Sequence, residues 1–442
     1  MGCRRWITES ASLVLAALFV LFSSGLMADC AKAESASTRV LSLNEAQQVA
    51  LEKNRDIHKA REYRNLVEGR YVEERAAALP QFVISAYATR STNQTQAGLL
   101  GAARQDNYLA EIGVSQLFFT WGQIGAAIQA AKYGVATADD QLRLYRQAAL
   151  RDTSSAFFDV LLAKEFHAIA VQNLNQKAEH LEEARKRFAA GVATEYDVLA
   201  AEVEAENARP EVIRTENQIR TSRERLRFIL GLPGEEVDAA GELIAPLDLP
   251  PMYDEALEHA WKRRPELSDL RNRLGLSKEL VKVYSAGNKP RLDLKASGGW
   301  RDLSFGDTRF KGKEWLVGLF ATYPIFDGFR TDGKVAQAKS EASSLKIEEA
   351  KLLDSIALQV RDAVNAVRES ADIVRALSGT VTQADRLLYM AEKGFEYGVK
   401  TKLDVDDAAL NSNRAKANLA KARRDYLVAR VVLNWAMGIL GE

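Results

Sequence analysis

The sequence predicts a mainly α-helical fold with four β-strands, built from two tandem copies of one unit. The stretch FEYGVKTKLDVDD at 395–407 is echoed by FAAGVATEYDVLA at 188–200, and Phe, Gly, Val, Thr, Asp and Val recur 207 positions apart. A helical pattern leads into each copy and another follows it, which is typical of a helical hairpin that turns at the glycine. Further upstream in each unit the apolar period changes from helical to alternating, which indicates a pair of β-strands.

Residues 1–33 are predicted to be a secretory signal peptide. Arg4 and Arg5 precede an apolar run, and Ala-Lys-Ala at 31–33 places small residues where signal peptidase cleaves. An N-terminal membrane anchor is the alternative, which the shortness of the apolar run disfavours. No later run is apolar for long enough to form a transmembrane helix, so a membrane-spanning part is expected to use β-strands.

Both cysteines, Cys3 and Cys30, lie within the predicted signal, so we expect no disulfide in the mature chain. Acylation of Cys30 is the alternative, and it is disfavoured because Asp29 stands where a lipoprotein signal has a small residue. The whole chain has 60 basic and 60 acidic residues. With no excess of positive charge, we expect no nucleic-acid partner.

The predicted boundaries of the two repeats follow from matched landmarks. The first structural repeat is assigned to residues 34–236, a Pro-rich linker to 237–251, and the second structural repeat to 252–442. Pro80 and Pro290 end the opening helix of each repeat at the same relative position. This many matches between the halves indicate an internal duplication.

Each repeat is predicted to hold a long coiled-coil helix and a shorter returning helix. The helical hairpins cover about 122–231 and about 329–438, and a helix of about 67 residues would be roughly 100 Å long. The opening helix of the first repeat is expected to run unbroken from about 41 to 78, and Pro210 is expected to kink the first returning helix. The seam of the second long helix steps by three and four through Leu377, Val381, Ala384, Leu388, Ala391 and Phe395.

The β-hairpins are assigned to about 81–119 and about 291–326. Each predicted strand has about ten residues, one apolar face and aromatic side chains near its ends, as in transmembrane β-strands. A soluble, half-buried sheet alternates in the same way and remains the alternative. Four strands are too few to close a barrel, so several chains would have to share one.

The combined pattern resembles the TolC-like outer-membrane efflux protein family over essentially the whole mature chain. The resemblance depends on the signal peptide, the tandem units, the proline before each hairpin, Phe-Asp-Gly at 326–328 and the tip motifs GVATEYDV and GVKTKLDVDD. Thr-Trp-Gly at 120–122 departs from it, because the family often has Asp-Gly-Gly there.

The resemblance implies a homotrimer whose twelve strands form one transmembrane β-barrel in the outer membrane of a Gram-negative bacterium, in contact with its lipid. An α-helical tunnel would cross the periplasm. The implied function is the exit duct of a tripartite efflux or type I secretion system, with a periplasmic adaptor and an inner-membrane pump as partners and no cofactor. The strand count agrees with a trimer, although it also permits a dimer.

The resemblance also assigns a periplasmic gate. Acidic rings would fall on Asp404 and Asp407, where three chains bring six carboxylates together, raise some of their pKa values and favour cations. Contacts that lock the gate would involve Phe395, Lys400, Tyr196 and Asp197. Phe395 replaces a tyrosine of the best-known members and Lys400 replaces an arginine, so the lock is expected to be weaker.

Alternative roles exist for part of this set. Asp197 and Asp404 each follow a glycine turn, at Gly191 and Gly398, and acidic residues also stabilise the first turn of a helix. Asp407 has Ala200 at the matching position of the first repeat, which favours the pore role for Asp407.

Two other function classes fit less well. An enzyme is disfavoured because the four histidines have no metal-ligand spacing, and His180 is expected to be solvated on a charged helix face. A periplasmic coiled-coil structural or adaptor protein would explain the heptads but not the amphipathic hairpins. The transported substrate and the class of pump leave no sequence signal.

Overall fold

The computed structural model of the protein describes residues 38–92, 104–244, 246–305 and 308–441. The predicted signal peptide at 1–33 lies outside these residues. In chain order the elements are β1 (Arg39–Leu41), α1 (Leu43–Lys53), α2 (Arg55–Ala76), β2 (Gln81–Thr92), β3 (Arg104–Phe119), α3 (Gln123–Ala189), α4 (Glu195–Leu230), β4 (Val237–Ala239), α5 (Tyr253–Arg263), α6 (Pro265–Ser285), β5 (Arg291–Phe305), β6 (Thr308–Thr322), α7 (Arg330–Glu396) and α8 (Lys402–Ala436). The predicted mainly α fold with two β-hairpins and two long helices is confirmed.

The prediction of one unbroken opening helix is wrong, because the chain leaves the helical conformation at Asn54. Asn54 has ψ 128° and its side chain accepts hydrogen bonds from the N–H groups of Asp56 and Ile57, so it ends α1 and caps α2. Its amide also donates to the carbonyl of Ile229 at 2.8 Å. Arg264 forms the same break in the second half, where Pro265 begins the next helix. Capping and a tertiary contact therefore override the continuous helical pattern.

The helices form a layer whose order follows from their contacts. α3 packs against α2 and α4 on one side and against α6 and α8 on the other, and α7 packs against α6 and α8. α3 and α7 each have 67 residues, which is about 100 Å at the usual helical rise. The layer therefore has two open edges, one formed by α2 and α4 and the other by α7.

Two apolar clusters hold this layer together near its middle. The larger is centred on Ile356, Val360, Val364 and Tyr426, all fully buried between α7 and α8. The hydroxyl of Tyr426 donates to the carbonyl of Pro246 at 2.9 Å, so the buried ring retains a polar partner. The segment between the halves is thus anchored to the second half.

The first half has its own cluster, which β1 and β4 close. These two strands pair in parallel, with Val40 opposite Asp238. Leu226 and Leu230 of α4 are fully buried against them and against α3. The first residues of the predicted linker thus contribute a strand to the first half, and the repeat boundaries themselves stay a prediction.

The four long strands form one antiparallel sheet in the order β2-β3-β5-β6. The pairing of β3 with β5 joins the two halves, and a register shift near Leu117 interrupts it at the end close to the helices. The register places Ile84, Ile112, Gly298 and Trp315 in one row across the sheet. The apolar faces predicted for the separate strands therefore form one continuous face.

Two further features bear on the predictions. Pro210 lies inside α4, which continues through it, and a kink there stays a prediction. Among the helices of the described residues, none combines the length and the hydropathy needed to cross a membrane.

Candidate functional site

The two predicted tips are turns of the same geometry. Gly191 and Gly398 both have φ +75°, in the left-handed region that favours glycine. Beyond them the N–H of Val192 donates to the carbonyl of Arg187 at 2.9 Å, and the N–H of Val399 donates to the carbonyl of Gly394 at 2.8 Å. These are Schellman motifs. An added Cβ would meet nothing within 4 Å at either glycine, so the backbone angle rather than space requires glycine.

A capping box begins the returning helix at each tip. Asp197 accepts from the N–H of Thr194 at 2.8 Å, and Asp404 accepts from the N–H of Thr401 at 2.9 Å. Each threonine hydroxyl in turn caps the backbone N–H of the aspartate. The hydrogen bonds from the threonine lower the pKa of both aspartates. Both residues therefore have the helix N-terminal role that was the alternative to the gate role.

The second tip differs from the first in its charges. The ammonium of Lys400 lies 3.4 Å from Asp404 Oδ1 in the same tip. The stem of Lys400 crosses Gly394, where an added Cβ would approach Lys400 Cγ to 2.5 Å. In the first tip, the position that corresponds to Gly394 is occupied by Arg187. A glycine in the last turn of α7 thus creates the space in which Lys400 folds back.

Phe395 contacts the first hairpin through Arg187. Its ring is half-buried against Ala391, Val405 and Ala408, and the guanidinium of Arg187 lies 4.9 Å from the ring centroid. This cation–π contact joins the two tips.

Within the described residues of one chain, the predicted gate residues do not form a single cluster. Lys400 and Asp404 meet, whereas Asp197 and Asp407 are exposed and Tyr196 is 77% exposed. The described residues of one chain show no contact of Lys400 with Tyr196 or Asp197, and the lock between them stays a prediction.

Sequence reasoning missed a polar network that joins the two hairpins one to three turns from the tips. Glu204 of α4 lies between the ammonium groups of Lys177 at 3.2 Å and Lys402 at 3.4 Å. Lys402 also pairs with Asp406 in its own helix. These lysines lower the pKa of Glu204 against the opposing effect of burial. The heptad pattern could not reveal this contact, because it does not show which helices pair.

Two amide contacts extend the junction along the same helices. The amide of Gln176 donates to Glu392 at 2.8 Å, and the amide of Asn413 donates to the side-chain oxygen of Asn173 at 3.0 Å. These contacts connect α3 with α7 and with α8. Together with Glu204 and Lys402 they form what we call the inter-hairpin junction.

The interpretation of His180 as solvated is wrong. The residue is half-buried at the junction, and its Nδ1 is buried with no hydrogen-bond partner among the residues that the structure describes. Burial lowers the pKa of His180, and the charge of Lys402 lowers it further against opposing effects of Asp406, Glu392 and Glu183.

A groove of about 610 Å³ lies over α3 between α4 and α8. Its floor is apolar, with Phe166, Ile169 and Ala170, and both Asp406 and Asp407 line its wall. Within the described ranges, His, Cys, Asp and Glu side chains form no group of three or more that fits a metal ion. The tips thus offer charged and apolar surfaces suited to contacts between helices.

The chain belongs to the outer membrane efflux protein family, whose model matches residues 46–232 and 256–439. This family consists of channels of the bacterial outer membrane, and it is not a family of enzymes. The resemblance drawn from the tip motifs and the tandem units is thereby confirmed.

Particular relatives cover most of the chain. It is 25% identical over 422 residues to the outer membrane protein TolC of Escherichia coli (strain K12), covering 92% of this chain and 84% of that protein. It is 28% identical to the alkaline protease secretion protein AprF of Pseudomonas aeruginosa, with 83% and 78% covered. It is 26% identical to the cobalt-zinc-cadmium resistance protein CzcC of Cupriavidus metallidurans, with 91% and 87% covered.

Solved structures share the fold. The CmeC outer membrane channel of Campylobacter jejuni aligns with a TM-score of 0.80 and 18% identity, covering 90% of this chain and 85% of that one. VceC of Vibrio cholerae aligns with a TM-score of 0.76 and 19% identity, covering 90% and 96%. At these identities the likeness concerns the fold.

Proposed function

We propose that three copies of this chain form the exit duct of a tripartite efflux or type I secretion system. The observation that carries the proposal is the four-stranded sheet with two free edges. β2 and β6 each pair on one side only among the described strands. Exposed sheet edges are incompatible with lipid, so an outer-membrane protein with this sheet needs further strands from other chains. Three chains supply the twelve strands of one closed sheet.

The helical layer supports the same assembly. Large apolar side chains are exposed on both of its open edges, where a packed interior would bury them. On α4 these include Val203, Ile213 and Phe228, and on α7 they include Ile347, Leu358 and Tyr389. The edge formed by α2 and α4 of one copy would pack against α7 of the next and extend the layer into a tunnel across the periplasm.

The gate follows from the tips of this assembly. Three chains would bring Asp404 and Asp407 close to the axis at the closed end, where carboxylates favour cations. Because Lys400 lies 3.4 Å from Asp404 and offsets part of its charge, the charge at the constriction would depend mainly on Asp407. Lys400 and Phe395 would meet Tyr196 and Asp197 of a neighbouring copy, and the inter-hairpin junction would hold the tips of each chain together until the duct opens.

Partners follow from the periplasmic position of the tips. A periplasmic adaptor would dock there and connect the duct to an inner-membrane pump. The relatives named for alkaline protease secretion and for cobalt-zinc-cadmium resistance concern different cargoes. No substrate is therefore assigned to this chain.

The test combines mass, location and conductance. Membranes from cells that produce the chain would be fractionated, and the purified protein would be examined by light scattering and in planar bilayers. We expect a heat-modifiable outer-membrane oligomer of three times the chain mass that forms closed, cation-preferring channels. A soluble periplasmic monomer would contradict the proposal and support the coiled-coil alternative.

A further inference from the structure

The continuous apolar face of the sheet ends in a rim of basic side chains. On this face, the row that contains Ile84 and Trp315 is followed by another row in the direction away from the helices. That next row consists of Ala86, Ala110, Trp300 and Lys313. Further outward on this face come Lys311, Arg309, Arg90 and Arg104. We call these four residues and Lys313 the basic rim.

The charge on this face is confined to one end. The rows of this face that run from Gln116, at the end close to the helices, to Trp315 contain no charged side chain among the described residues. All charged residues of this face lie in the row of Lys313 or further from the helices. The opposite face has no such division, because Lys295 and Glu111 lie in its half close to the helices. The asymmetry is thus a property of the apolar face.

Two carboxylates organise the rim without neutralising it. Asp106 accepts from Arg90 Nε at 2.6 Å and from its Nη2 at 3.1 Å, and Arg104 Nε lies 3.9 Å away. Asp302 accepts from Arg309 Nε at 2.7 Å, and the ammonium of Lys311 lies 3.5 Å away. Each carboxylate therefore holds two cations.

The rim has a net positive charge and exposed donors. Its five cations exceed the two carboxylates by three charges per chain. The side chains of Arg90, Arg104, Arg309 and Lys311 are each about half exposed. The carboxylates orient the guanidinium groups of Arg90 and Arg309, and among the described residues no third acid pairs with a cation of the rim. Such an arrangement suits a phosphate, which accepts several charge-assisted hydrogen bonds.

The depth of the rim matches a lipid headgroup. Ala321 and Lys311 lie on the same face of β6, about 34 Å apart along the strand at the usual rise. At a strand tilt of about 45° this separation is about 24 Å of depth, close to the height of an apolar transmembrane band. Trp300 and Tyr108 lie beside the rim, as aromatic residues do at a membrane interface.

We propose that the basic rim binds the phosphate groups of a glycolipid or phospholipid headgroup in the leaflet that surrounds the outer ends of the strands. This inference rests on the proposed function, since it requires the sheet to cross the outer membrane with its helices on the periplasmic side. Binding there would fix the depth of the duct in the membrane.

The test uses the purified full-length oligomer and bisphosphorylated lipid A as the probe. Lys311→Gln/Lys313→Gln removes two cations of the rim while both arginine–aspartate pairs remain. Lys289→Gln/Lys295→Gln removes the same charge at the helix-proximal end and serves as the matched control. Lys311→Arg/Lys313→Arg restores the charge.

Native mass spectrometry would measure lipid retained per oligomer. We expect the Gln variant to bind lipid A at least about tenfold more weakly, given the usual effect of each basic residue near an anionic membrane surface. The control and the Arg variant should match the unmodified protein, and dephosphorylated lipid A should bind as weakly as the Gln variant binds lipid A.

Three outcomes would overturn the inference: equal binding by the Gln variant, equal binding of dephosphorylated lipid A, or displacement of the lipid by an equal concentration of inorganic phosphate. Outer-membrane fractionation and bilayer conductance of the same variants keep this failure separate from that of the duct. Normal insertion and conductance without phosphate preference would reject the rim alone, whereas absence from the outer membrane would reject the proposed function.

Discussion

Replacing Glu204 by Gln is predicted to loosen the inter-hairpin junction and to raise the open fraction of the duct. Glu204 is the only acid in the described residues that lies within 4 Å of both Lys177 and Lys402. Lys402 keeps Asp406 as a partner in the variant, and the side chain of Lys177, which loses Glu204, is 26% exposed. The substitution therefore removes the Glu204–Lys402 attraction between hairpins and leaves the side chain's volume in place.

The magnitude follows from the exposure of the pairs. The side chains of Glu204 and Lys402 are 35% and 36% exposed, so each ion pair contributes about 0.5 kcal/mol, as partly exposed pairs do. Only the Glu204–Lys402 pair joins the two hairpins, because Lys177 and Glu204 belong to the same hairpin, so the junction loses about 0.5 kcal/mol per chain. If three chains open together, the closed state loses about 1.5 kcal/mol, and the ratio of open to closed rises by about 12-fold.

Single-channel recording in planar bilayers would measure this ratio. Glu206→Gln is the matched control, because Glu206 pairs with Arg209 inside α4 at 3.2 Å and joins no second hairpin. Raising the ionic strength should reduce the difference between the two variants through screening. Equal open fractions for Glu204→Gln and Glu206→Gln would refute the reasoning that the junction holds the closed state.

Three further predictions concern the junction and the tips. Because the pKa of His180 is lowered in the folded chain, the unfolded chain binds the proton more readily. The stability of the fold should therefore decrease as the pH falls below about 6.5. Thermal unfolding at several pH values should show this loss of stability, and His180→Gln should remove it. Gly398→Val places a β-branched residue at φ +75° and should impair export that depends on an adaptor. The control Gly379→Val, inside α7, should impair export less. Equal export by both variants would contradict the requirement for glycine in the turn. Asp407→Ala should reduce the cation preference of the channel with little change in melting temperature. Asp404→Ala should lower both the cation preference and the melting temperature, because it also removes a capping box. Unchanged selectivity in both variants would count against the acidic constriction.

The sequence predicted the elements of this fold because their signals are local. Proline before each hairpin, alternation in the strands and heptads in α3 and α7 each depend on residues a few positions apart. The glycine turns were predictable for the same reason, since Gly191 and Gly398 recur in one motif with the threonine that caps the next helix. The threonine–aspartate capping boxes are likewise local, so the alternative role for Asp197 and Asp404 was visible in the sequence.

Tertiary structure alone decided how these elements combine. Asn54 breaks a continuous helical pattern because its side chain meets Ile229, which lies 175 positions away. His180 is half-buried and Glu204 bridges two hairpins because α3 packs beside α8, a pairing for which the heptads contain no signal. The basic rim depends on strand register, which aligns side chains of four strands that are up to about 220 positions apart in the sequence. Local chemistry thus fixed the helices, strands and turns, and long-range packing determined which charged groups meet.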